Sequence, residues 1–133
     1  MEEVINIKKT QLSPKVLLNK KNKNFILYGK SGVENAEDFY NPIINWFENY
    51  FNNPNEKTEI YLYLEYLNSS SSVQIGKLLN IISNYQDNLH ITINWLYDSD
   101  DELMKETGKE FQYMYDLKFN FIEKDEDAEY FNF

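Results

Sequence analysis

The chain has 133 residues, 42% hydrophobic and 17% aromatic with eleven Tyr and nine Phe, which is enough apolar surface for one core and too much for a disordered chain. Thirteen basic residues against twenty-two acidic ones give a net charge of −9, which argues against nucleic acid as a partner because phosphate backbones repel such a surface. There is no cysteine and a single histidine, His90, so disulfide frameworks, thiolate sites, two-histidine zinc sites and histidine triads fall away.

In chain order, VINIKKTQLSPKVLLN predicts an edge strand and a second short strand around Lys15 to Leu18, split by Pro14. NFILYGKSG, Asn24 to Gly32, reads as a strand leaving the core into a glycine-ended turn. From Ala36, the apolar residues Phe39, Ile43, Trp46, Phe47 and Tyr50 recur at helical spacing, with Pro42 early enough for the first turns to tolerate it. TEIYLYLEYL has apolar residues at alternate and intervening positions, so a central strand covered on both faces is expected. Val73, Ile75, Leu78, Leu79 and Ile82 predict a second helix, and HITINWLYD alternates as a strand. Asp98 to Glu102 supply caps and carboxylates for a third helix containing Leu103, Met104, Phe111 and Met114, before a last strand LKFNFIE. The acidic tail from about Glu123 is expected to fray. Alternating strands and helices with short connections make an α/β fold: one domain over residues 1–133, a mixed sheet of about five strands with helices packed on it. No cleavable apolar leader and no run of about 20 apolar residues occurs, so a cytoplasmic protein without membrane insertion is expected.

Few residues invite chemistry. Gly29-Lys30-Ser31 follows a strand, but a phosphate-binding loop needs a glycine where Asn24 stands, and the match fails. Asp98 to Glu102 lack calcium-loop spacing, so they read as a helix cap rather than a metal site; no metal or cofactor is expected. Glu34 and Glu65 are isolated carboxylates, and His90 opens a strand without an assigned role. The serines Ser69 to Ser72 are different. They fall between a central strand and a helix, at the strand end where α/β proteins place reactive groups. Capping by Asn68 or Ser69 uses one residue and contributes about 1 kcal/mol, whereas serine is a mediocre helix former, so four in succession exceed that need. A nucleophile would need a base that nothing nearby supplies; a phosphoacceptor needs only exposure and a helix N-terminus.

Three blocks carry a family resemblance. GKSGVENAEDFYNPIINWFENYF resembles the G-x-S-x-x-E-N-A, F-Y-x-P and W block of the SiaC-type regulatory phosphoproteins. LEYLNSSSSVQIGKLL is similar to that family's L-x-Y-F-N-T-S-S-S segment, and INWLYDSDDELMKETGKEF to its W-x-Y-x-x-D-D-x-M-x-E-x-G-x-x-F segment. The blocks span about Asn24 to Phe121. The resemblance implies a STAS-like domain and a non-enzymatic switch, phosphorylated by a serine/threonine kinase, dephosphorylated by a PP2C-type phosphatase and acting on a diguanylate cyclase in biofilm control. By position the modified hydroxyl is Ser69, with Ser70 and Ser71 as alternatives, and Asn68, Ser70, Ser71, Ser31, Glu34 and Asn35 share the partner face. Ser69 stands for the usual threonine, Leu67 for an aromatic and Val73 for a frequent lysine. Two other readings remain: a constitutive interaction module in which the serines only cap, and a small enzyme using Glu34, Glu65 or the carboxylates of Asp98 to Glu102.

Overall fold

Six strands, β1 (Ile5–Ile7), β2 (Lys15–Asn19), β3 (Asn24–Ser31), β4 (Lys57–Leu67), β5 (His90–Asp98) and β6 (Phe119–Lys124), lie side by side in chain order. Helices α1 (Ala36–Tyr50), α2 (Ser69–Ser83) and α3 (Glu102–Tyr115) connect the last four. The computed structural model describes residues 3–86, 90–125 and Phe131; the expected acidic tail thus lies mostly outside the described residues. The first three strands pair antiparallel and the last four parallel, giving the expected mixed α/β sheet with six strands rather than about five. The edge strand expected ahead of Pro14 is β1, three residues long, and counting it brings the sheet to six.

Each parallel pair needs a crossover, and crossovers of one hand that always step the same way put all three helices on one face. Ring contacts bear this out: Phe25 of β3 meets Trp46 of α1 at 5.8 Å, and Trp95 of β5 meets Phe111 of α3 at 5.8 Å. That face holds the core, with Val16, Leu18, Phe25, Leu27, Ile60, Leu62, Leu64, Ile93 and Trp95 buried. β4 is largely buried on both faces, as expected, although among the described residues helices cover only one of them. Helices cover the Ile60, Leu62 and Leu64 side, while Tyr61 and Tyr63 lie on the side without helices. Tyr63 is nevertheless buried, stacked on Tyr28 at 5.2 Å and donating its hydroxyl to Asp98. Burial and the adjacent Asp98 carboxylate hold its phenol far above the ordinary tyrosine range.

Two local features bear on the site. Pro42 is the seventh residue of α1, within its first two turns, and the carbonyl left without a helical partner belongs to exposed Asp38, where water can serve. The β3–β4 register slips after Gly29, from Gly29↔Leu64 to Lys30↔Tyr66. Gly29 adopts φ 126°, which side chains rarely reach, and an added Cβ would lie 3.1 Å from Lys9 Cε. The slip leaves Tyr66 half exposed at the sheet rim.

Trp95 fixes α3 on the sheet. Its indole donates to the Met104 carbonyl at 3.0 Å, and a Cβ on Gly108 would stand 2.5 Å from the indole nitrogen. Gly108 is therefore required for close approach. Gly108→Ala, although it improves helix propensity by about 1 kcal/mol, is expected to lower stability by a net ~1–3 kcal/mol in urea unfolding, because overpacking displaces a buried indole. Unchanged or raised stability would contradict this packing.

Candidate functional site

Because β3, β4 and β5 run parallel, their exits lie at one end of the sheet. Residues 32–35 leave β3, Asn68 alone separates β4 from α2, and 99–101 lead into α3. The turn that includes Glu34 and Asn35 thus shares an end with the serine run.

Asn68 organises this corner. Its side-chain oxygen accepts from the Ser71 amide at 2.9 Å, making it the N-cap of α2. Its side-chain amide donates to the Val33 carbonyl at 3.0 Å, and its backbone amide to the Ser31 carbonyl at 3.0 Å. Capping therefore falls to Asn68 itself, not to Ser69, which becomes the first helical residue. The four serines then diverge by helical geometry. Ser69 and Ser70 are exposed, Ser72 is half-buried, and Ser71 points inward and is fully buried. Ser70 donates to Asn68 at 3.3 Å.

Beneath them lies a hydroxyl relay. Ser31, also fully buried, donates to Ser71 at 2.8 Å and lies 2.7 Å from the Tyr40 hydroxyl. Since Ser31 has one proton and gives it to Ser71, Tyr40 donates to Ser31. Burial pushes the Tyr40 phenol up to about 12, which keeps it protonated for that task. The relay ties β3, α1 and α2 together. Ser31 and Ser71, expected on the partner face, are thus interior in this structure, whereas Glu34 and Asn35 are exposed. Asn35 caps α1, accepting from the Asp38 amide at 3.3 Å. Tyr40 was not among the expected site residues; its places on the inner stripe of α1 and in the F-Y-x-P block were the signs of it.

Beside Ser69 runs an open groove between α2 and α3. Tyr66, Val73, Leu103 and Met114 line it, each more than half exposed. Val73, Leu103 and Met114 had been counted with the apolar periodicity of their helices; the structure turns them outward. Among the described residues Lys77 is the one cation lining the groove, which Glu65 and Asp101 also line.

Three of the carboxylates considered for catalysis have structural partners. Glu65 pairs with Lys9 at 3.1 Å, Asp98 accepts from Tyr63, and Asp101 caps α3 through the Met104 amide at 3.0 Å. Glu34 is exposed, as is His90 at the far end of the sheet. Among the described residues no group of three metal-ligating side chains gathers, and no helix is long and apolar enough to cross a membrane.

Comparison with known proteins places this geometry. Solved structures from Pseudomonas aeruginosa share the fold: a chain in the complex of the diguanylate cyclase SiaD with its activator SiaC has a TM-score of 0.84, with 24% identity over 90% of this chain and 99% of that one. SiaC alone gives 0.79 and 24%, covering 92% and 98% of the two chains. An uncharacterized protein of Pseudomonas aeruginosa strain UCBPP-PA14 is 26% identical over 109 residues, 81% of this chain and 86% of its own. The model of the SiaC family regulatory phosphoproteins matches residues 7–124, and the chain belongs to that family.

Proposed function

We propose that this protein is a non-enzymatic switch, phosphorylated on Ser69 by a partner kinase and reset by a PP2C-type phosphatase, with a diguanylate cyclase as its effector in the cytoplasm. The observation that carries this reading is the placement of Ser69: exposed, first in α2, directly after the pinned Asn68, and on the wall of an apolar groove. The charge pattern supports it. α1 and α3 begin with carboxylates, Glu37 and Asp38 in one and Glu102 in the other, whereas the first turn of α2 has none. A phosphate on Ser69 would supply the missing charge at a helix end whose partial positive charge favours it.

The phosphate, about −1.5 to −2 at neutral pH, meets no guanidinium, since the chain has no arginine. Lys77, the groove's cation, is eight residues on, about two helical turns away. The charge therefore remains available to a partner and acts on docking: the unmodified rim admits an apolar surface, and the phosphate makes that surface costly to desolvate. The cyclase relationship in the SiaD–SiaC complex motivates the choice of effector.

Incubation with the partner kinase and ATP, followed by mass mapping, is expected to place one phosphate on Ser69; modification confined to other serines, or none, would refute the assignment. Ser69→Ala is expected to keep effector binding while Ser69→Asp weakens it about tenfold, or ~1.4 kcal/mol, in a titration. Equal affinities of the two variants would count against the switch. Ser71→Ala should behave oppositely, losing ~1 kcal/mol of stability by breaking the buried relay while Ser69 remains phosphorylated at the unaltered rate.

A further inference from the structure

The face of the sheet without helices presents a second surface, away from the groove. Register places Tyr28, Tyr63, Leu96 and Ile122 in one row across it and Ile26, Tyr61, Asn94 and Asn120 in the next. Leu96 and Asn94 are buried, at 0% and 2% exposure, although no helix lies over them. Asn94 accepts from Asn120 at 3.2 Å, and its own side-chain amide donates to nothing. This face is largely apolar and aromatic, with one buried amide donor, that of Asn94, lacking an acceptor.

Phe131 sits on it. Its ring lies 5.6 Å from that of Tyr28 and 6.0 Å, perpendicular, from that of Tyr61. We propose that this face is a docking surface for the chain's own C-terminal segment, with Phe131 as the anchor in the notch between Tyr28 and Tyr61. Three features fit that occupant. Five residues separate Asp125 from Phe131, so the six Cα steps between them reach about 20 Å. The distance to be covered is about 16 Å across the plane of the sheet, from the end of β6 over two strands and four residues back along them. The segment's composition is also complementary: Glu126, Asp127 and Glu129 precede Phe131. The face, in a chain of net charge −9, is bordered by Lys9, 4.5 Å from the Tyr28 ring, and Lys124, 5.3 Å from the Tyr63 ring. Finally, the aromatic notch offers edge and face contacts that suit a phenyl ring.

Exchange of Phe131 between this notch and its released state uncovers the rings of Tyr28 and Tyr61, so these tyrosines report on its occupancy. Nitration by tetranitromethane, mapped by mass spectrometry on the full chain, measures this directly. Phe131→Ala is expected to accelerate nitration of Tyr28 and Tyr61 about fivefold, the scale of losing an aromatic contact pair, with Phe131→Leu in between. Tyr113, 92% exposed, is the internal control and keeps its rate. Unchanged rates at Tyr28 and Tyr61 would overturn the proposal. Acceleration that extends to buried Tyr40 and Tyr50 would do so too, because Phe131 would then hold the fold rather than a docked segment.

Discussion

The corner at Asn68 is the constraint on which the site depends. One residue joins the central strand to α2, and its three hydrogen bonds leave no freedom in how the helix begins. An asparagine can do this because its side chain carries both an acceptor for a helix amide and donors for a neighbouring carbonyl, which aspartate and serine do not combine in the same way. Once the first turn is fixed, helical rotation sorts the serines. Ser71 must face inward to the Ser31 hydroxyl, and Ser69 must face out beside the groove. The chemistry proposed for Ser69 follows from a capping interaction rather than from any reactivity of the hydroxyl itself.

This arrangement separates the parts that hold shape from the part that carries information. The relay through Tyr40, Ser31 and Ser71 is buried and neutral, and the core behind it runs from Phe25 through Leu62 to Trp95. Charge added at Ser69 meets solvent and the groove, not that interior. Without arginine in the chain, no bidentate clamp can fold a phosphate back onto the protein. In the proposed switch the modification is consequently read by whatever approaches α2 and α3.

Most of the fold was legible because its elements repeat with the period their burial demands. α1, β5 and the order of parallel units follow from such patterns, and the Asp101 cap from its place before an apolar helix. Legibility failed where apolar residues serve something other than the core. Val73, Leu103 and Met114 match helical spacing, yet they line the groove, and periodicity cannot distinguish an inward stripe from a second outward one. Tyr61 and Tyr63 presented the same ambiguity on β4, where aromatic bulk stands in for a covering helix. Ser69 was singled out by the family-like run around it. The inward turn of Ser71 was not, because it depends on a hydrogen bond to a residue forty positions away.

The central claim is that phosphate on Ser69 alters a docking rim while leaving the fold intact. The most direct measurement is a comparison of amide and indole proton–nitrogen spectra of the unmodified and Ser69-phosphorylated protein. The account predicts shifts confined to Asn68, the first turns of α2 and the groove residues of α3, with the Trp95 indole signal unmoved. Shifts spreading through β3, β4 and the Trp95 indole would show that the phosphate reshapes the core, and would contradict it.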